Sequence, residues 1–197
     1  VSANHTISAT FAINTYNIVA ATGANGSISP AGTTPVNYGG SQTYTMTPAT
    51  GYHVADVLVD GTSVGAVGTY TFATVTAGHT ISVTYAINTY NIVATTGANG
   101  TITPAGTTVL SYGGNQTYAI TPATGYHVNT LVVDGVTVAA ATTYSFTSVS
   151  ANHTISATFA INTYNIVATT GANGSISPAG TTAVNYGGSQ TYTMTPA

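Results

Sequence analysis

The sequence predicts an all-β protein: a tandem array of small β-sandwich or β-grasp-like modules of 74 residues each, with essentially no helix. Three observations carry this reading. Tyr16-Asn17-Ile18-Val19-Ala20 returns at 90–94 and again at 164–168, a period of 74 residues, and self-similarity at a fixed period marks a repeat architecture. Apolar and polar residues alternate strictly in several short runs, the signature of half-buried strands. Asn-Gly, Asp-Gly, Gly-Gly and Pro-Ala-Gly segments punctuate those runs, and nowhere does a capped apolar stripe of helical period appear.

The repeats define the organisation. Residues 16–89 align with 90–163 without a gap and share 49 of 74 positions. A longer period lies above this one: 47 of the first 49 residues recur 148 positions later, differing only at Ala21/Thr169 and Pro35/Ala183. Four segments follow: 1–15, the terminal strand of an incomplete module; 16–89 and 90–163, two complete β modules; and 164–197, the first half of a further incomplete module. Neither half-module has the residues to close a core by itself. The start at Val1, with no Met, basic region or apolar region behind it, predicts a processed chain or a window on a longer array.

Within a module the elements are read in order. In the middle module strands are expected near 90–96, 101–104, 108–112, 116–122, 127–134, 136–138, 143–147 and 153–161. Ile81, Val83, Tyr85 and Ile87 alternate with Thr80, Ser82, Thr84 and Ala86, and the copies at 7–13 and 155–161 do likewise, so Thr6 to Ile13 is also expected to be a strand. Threonine is β-branched and polar, which suits the solvent face. Val59-Asp60-Gly61-Thr62 and Val133-Asp134-Gly135-Val136 predict tight hairpins, and Gly97-Ala98-Asn99-Gly100 carries a hairpin signal of the same kind. The apolar phase is odd-numbered up to Ile87 and even-numbered from Tyr90, so one residue of phase is lost at Asn88-Thr89. Such a slip turns the side chains to the opposite face. With no flexible linker at the junction, consecutive modules are expected to follow one another stiffly. The core is expected at Ile92, Tyr118, Ile120, Val133, Phe146, Ile155 and Phe159, and at Ile18, Tyr44, Met46, Val59, Phe72, Ile81 and Tyr85.

Composition removes whole classes of function. There is no Lys or Arg, and charged residues make up 2% of the chain, against roughly a quarter in an ordinary domain. Without basic side chains, phosphate neutralisation and hence nucleic-acid binding are not expected. Apolar runs are too short for a spanning helix, so no membrane insertion is expected. There is no Cys, so disulfides and thiolate chemistry are absent.

Few candidates remain for site chemistry. His53 and His127 follow Gly-Tyr, while His5, His79 and His153 precede Thr-Ile-Ser. Asp60 and Asp134 sit in turns where Asp is the expected residue. Neither set has the companions of a zinc or calcium site, and no nucleophile-elbow spacing occurs. No catalytic, cofactor-binding or metal residue is therefore expected, and the protein is not expected to be an enzyme. Tyr38, Tyr112 and Tyr186, beside Gly-Gly loops, are candidate glycan contacts, with core filling as the competing role for Tyr44, Tyr70, Tyr90 and Tyr118. Asn4, Asn25, Asn99, Asn115, Asn152 and Asn173 stand in Asn-x-Ser/Thr sequons and are candidate glycosylation sites.

The runs Gly-Ser-Ile-Ser-Pro-Ala-Gly (26–32), Val-Asn-Tyr-Gly-Gly-Ser-Gln-Thr-Tyr (36–44), Thr-Pro-Ala-Thr-Gly-Tyr-His-Val (47–54), Val-Asp-Gly (59–61), Tyr-Thr-Phe (70–72) and His-Thr-Ile-Ser-Val-Thr-Tyr (79–85) occur in this order. Together they resemble the divergent internalin-type B-repeat family, module after module along the chain. That resemblance implies a bacterial extracellular or cell-surface protein whose modules serve as stalk, spacer or adhesin, and it implies no catalytic residues. The function expected is a structural repeat protein forming a rod, stalk or filament. The alternative is an adhesin gripping glycans or a partner protein through its tyrosine-bearing loops. The partners expected are further copies, met head-to-tail or laterally, or the continuation of the same array.

With so few charges to screen and no metal-ligand set, cohesion rests on backbone ladders and apolar burial. Thermal denaturation in low salt, high salt and EDTA is expected to give the same melting temperature; a fall of many degrees in chelator would reveal a bound metal.

Overall fold

A computed structural model describes residues 1–197. It holds twenty strands and no helix, and it divides into two compact units, Val1–Asn88 and Thr89–Ala197.

In the first unit the strands are β1 (Thr15–Thr22), β2 (Gly26–Ser29), β3 (Gly32–Asn37), β4 (Gln42–Pro48), β5 (Tyr52–Val59), β6 (Thr62–Ser63), β7 (Thr69–Phe72) and β8 (His79–Ile87). They form a five-stranded sheet in the order β3-β1-β8-β5-β6 and a three-stranded sheet in the order β2-β4-β7. The first and last strands of the module, β1 and β8, lie side by side and parallel, in register from Ile18↔His79 to Thr22↔Val83. Antiparallel partners flank them, β3 on one side and β5 on the other. This is a grasp-like strand order in which a second sheet supplies the covering layer. Both sheets turn alternate side chains into one core: Ile18, Ala20, Val54, Val57, Ile81 and Val83 from the larger, and Ile28, Tyr44, Met46 and Phe72 from the smaller. The rings of Tyr44 and Tyr70 meet Phe72 edge-on at 6.1 and 5.0 Å, a favoured aromatic geometry.

The second unit repeats this design with β9 (Thr89–Thr96), β10 (Gly100–Thr103), β11 (Gly106–Ser111), β12 (Gln116–Pro122), β13 (Tyr126–Val133), β14 (Val136–Val138), β15 (Thr143–Phe146) and β16 (His153–Ile161). The sheets are β11-β9-β16-β13-β14 and β10-β12-β15, and β9 runs parallel to β16. Each of the eight strands expected in this module is present, with ends moved by two residues or fewer. Asp60 and Gly61 have φ of 48° and 80°, and Asp134 and Gly135 have φ of 50° and 78°. Two consecutive positive φ values give the type I′ turn expected of Asp-Gly, and Val59 pairs with Thr62 across it.

Several expectations need correction. The Asn-Gly segments do not close hairpins. β9 pairs with β11 and β16, and β10 pairs with β12, so 97–100 is a corner that carries the chain from one sheet to the other. Asn99 supplies the left-handed residue there, with φ of 68°. Residues 1–14 form no strand, and Ile7 and Phe11 are 98% and 96% exposed. Their copies in β8 and β16 are central strands held between two neighbours, and this sequence supplies neither neighbour for the first copy. In the partial module, β17 (Thr163–Ala168) pairs with β19 (Gly180–Asn185), and β18 (Gly174–Ser177) pairs with β20 (Thr193–Pro196), but none of its residues is fully buried.

The core expectation is met at Ile92, Tyr118, Ile120, Val133, Phe146 and Ile155, and at Ile18, Tyr44, Met46, Phe72 and Ile81. Val59, Tyr85 and Phe159 are only partly buried. Tyr85 and Phe159 lie over Gly26 and Gly100, where a Cβ would overlap the ring. A bulge between Val54 and Asp56 shifts the phase of β5, so Val54 and Val57 both face inward. Its counterpart between Val128 and Thr130 brings Leu131 into the core.

Leu131 is fully buried. Leu131→Ala is expected to destabilise the second module by about 2–5 kcal/mol in urea denaturation, whereas Thr101→Ala on the solvent face is expected to stay within about 0.5 kcal/mol.

Candidate functional site

Two polar constellations recur in these modules, and both grow from turn chemistry. The first is a clamp on the last strand. The Asp134-Gly135 turn sits beside the start of β16, where Asp134 Oδ1 accepts the Thr154 N–H at 2.7 Å and Oδ2 accepts from His153 Nδ1 at 2.7 Å. Asp60 does the same with Thr80 and His79. The imidazoles rest on Phe146 and Phe72, with ring centroids 4.9 and 4.8 Å apart. The Thr80 N–H, followed by the His79 imidazole, holds the Asp60 carboxyl below its ordinary value. At Asp134 burial pushes upward, but the Thr154 N–H and the His153 imidazole outweigh it and the net direction is again downward. Each pair is open to solvent on one side.

The second constellation is a joint. Asn162 is the one residue between β16 and β17. Its N–H donates to Gly125 O at 2.8 Å, its carbonyl accepts the Tyr186 N–H at 2.8 Å, and its Oδ1 accepts from His127 Nδ1 at 2.8 Å. Gly125 is at the third position of a turn closed by the Tyr126 N–H to Ala123 O, with φ of 81°, as a type II turn requires. A Cβ on Gly125 would overlap the Tyr186 ring. Within the first unit, Asn88 makes the matching bonds to Gly51 O and to His53 Nδ1.

The tyrosines proposed from sequence as glycan contacts therefore occupy different settings. Tyr186 lies on Gly125. Tyr38 is 56% exposed, its N–H bonded to Asn14 O and its ring 6.3 Å from that of Tyr16. Tyr112 is half-buried. The Gly-Gly segments that follow Tyr38 and Tyr112 are tied down: Gly39 N–H and Gly40 O bond Val75, and Gly113 N–H and Gly114 O bond Val149. The competing core role holds fully for Tyr44 and Tyr118, and partly for Tyr70 and Tyr90.

All six sequon asparagines are exposed. Asn25, Asn99 and Asn173 are left-handed corner residues. Asn115 Oδ1 accepts the Ser148 N–H, Asn152 Oδ1 accepts the Asn91 N–H, and Asn4 lies in the strandless segment. His5 lies there too. No three His or Asp side chains converge as a metal-ligand set. The joint was missed from sequence because its members, Gly125, His127, Asn162 and Tyr186, are far apart along the chain. The available signal was that Gly-Tyr-His, Ile-Asn-Thr and Tyr-Gly-Gly all keep the 74-residue period.

Fold and joint together define a tandem β-repeat protein, its second complete module joined to the partial one through a single residue. Residues 90–163 match the family model described as the divergent InlB B-repeat domain. The match spans one whole period, and 16–89 are the copy that shares 49 of its 74 residues. No curated protein matches the chain. The chain is thus a tandem β-repeat protein, one complete repeat of which is similar to the divergent InlB B-repeat domain. No helix in it is long and apolar enough to cross a membrane.

The Asp clamps set a pH dependence. Their carboxyls titrate lower in the folded state, so the stability they contribute is present above the unfolded pKa of about 3.9 and is lost as pH falls through the folded values. The melting temperature is expected to drop on acidification below about pH 4, and to drop less in the double variant Asp60→Asn, Asp134→Asn. Because both groups are half exposed, the difference is expected to be small; calorimetry across pH 2–7 measures it.

Proposed function

We propose that this protein is a structural element of a bacterial surface: a rod, stalk or filament made by continuing the 74-residue repeat, without catalytic activity. The observation that carries this reading is the junction at Asn162, one residue long and hydrogen-bonded on both sides. A spacer must transmit orientation from one module to the next, and a junction with no free linker does so. Near-identity of copies 148 residues apart supports it as well, since a rod needs many equivalent units.

The partners proposed are more of the same repeat, in the same chain or in another. The recurrence of the 74-residue unit along the whole chain supports this, since equivalent units present equivalent surfaces to one another. The extracellular setting agrees with a nearly uncharged, Ser- and Thr-rich surface carrying six sequons.

A second reading, an adhesin, is favoured by one feature: the Tyr-Gly-Gly loop recurs in every repeat, and Tyr38 and Tyr186 keep exposed rings. Negative-stain electron microscopy of a chain carrying many consecutive repeats is expected to show straight rods of uniform width. Flexible beads on a string would sink the structural reading. Saturable glycan-array binding abolished by Tyr38→Ala would favour the adhesin.

A further inference from the structure

We infer that the Thr-Gly-Tyr-His turn of a module, together with the asparagine that follows its last strand, is a docking site for the Tyr-Gly-Gly loop of the next repeat, and that this contact sets the angle between consecutive modules. The inference rests on the array reading above, but names the surface and its occupant.

Three observations support it, two in the second unit and one in the first. The turn at 123–126 presents a bare backbone: Gly125 has φ of 81°, and a Cβ there would overlap the Tyr186 ring. Any side chain at this position would be strained by the turn and would also expel the ring. Asn162 then ties both parties to one peptide. Its N–H and Oδ1 engage Gly125 and His127 of the completed module, while its carbonyl takes the Tyr186 N–H of the following one. A ring contact alone would leave the following module free to swivel; a ring contact together with hydrogen bonds on both sides of the junction removes that freedom. Finally, Tyr38 shows the same loop without such a seat. It keeps the backbone bond to Asn14, but its ring leans on Tyr16 and stands 56% exposed, against 47% for Tyr186.

The docking site also assigns roles to residues that composition left idle. His127 and His53 make the same bond to an asparagine 35 positions on, so they act as positioning residues that hold the asparagine side chain and not as metal ligands. Tyr186, a glycan candidate on sequence grounds, serves the joint in this way.

The absence of Cys makes the test direct. In the full chain, Thr137→Cys on β14 and Thr181→Cys on β19 give two exposed attachment points for nitroxide labels, one on each side of the joint. Double electron–electron resonance is expected to give a narrow distance distribution in this parent, a distribution broadened several-fold in Tyr186→Ala, and a narrow one again in Tyr186→Phe, which keeps the ring. Gly125→Val is expected to broaden it as Tyr186→Ala does. Hydrogen exchange of the β9–β16 amides, unchanged in Tyr186→Ala, shows that the complete module is still folded. An equally narrow distribution in Tyr186→Ala and parent would overturn the docking site. This readout is independent of filament formation: rods absent under the microscope with the narrow distribution retained would remove the structural reading while supporting the joint.

Discussion

The parallel pairing of each module's first and last strands is the constraint on which the rest depends. β1 and β8, like β9 and β16, are adjacent inner strands of the larger sheet. They are joined only after the chain has built every other element of the module. Parallel neighbours need a long crossover, and here the crossover is the remainder of the fold: three strands of the larger sheet and all of the smaller one. Closing that pair delivers Ile81 and Val83, or Ile155 and Ala157, into the core. Non-local pairing of this kind costs loop entropy before it gains contacts, and the core is complete only with this pair formed.

That dependence explains the contrast among copies of nearly the same sequence. Residues 153–161 form a nine-residue strand, while the identical residues 5–13 form none and expose Ile7 and Phe11. The difference is entirely in the neighbours. A strand's apolar alternation states which face it would bury, but the burial needs a facing sheet and the backbone groups need partners. The partial module at 164–197 makes the same point from the other end. Its local hairpin registers match those of the complete modules, from Tyr164↔Val184 to Ala168↔Gly180, yet without the last strand no side chain in it is fully enclosed.

Polar groups take over where apolar burial ends. A chain with three carboxylates and no Lys or Arg cannot distribute ion pairs over its surface. It places two of the three at type I′ turns, where each serves as a turn former and as an acceptor for the strand beside it. Hydroxyl pairs such as Thr43–Thr71 and Thr117–Ser145, both at 2.8 Å, stitch the outer face of the smaller sheet. The joint follows the same economy: a glycine, a histidine, an asparagine and a tyrosine, with no charge.

The sequence alone determined the all-β class, the 74-residue period, the positions of the eight strands in a module, the Asp-Gly hairpins and most of the core, because each follows from local alternation or from one turn dipeptide. Tertiary structure decided the rest. It made the Asn-Gly segment a corner between sheets and not a hairpin, because partner choice belongs to the sheets and not to the turn. It placed the bulges that bring Val57 and Leu131 inward, since an unpaired extra residue has no local signature. It left residues 1–14 without a strand despite a perfect strand pattern. It also brought Gly125, His127, Asn162 and Tyr186 to one point. Spacing along a chain carries the periodicity of its elements, but which elements meet is set by the burial and hydrogen bonding that only the assembled sheets can satisfy.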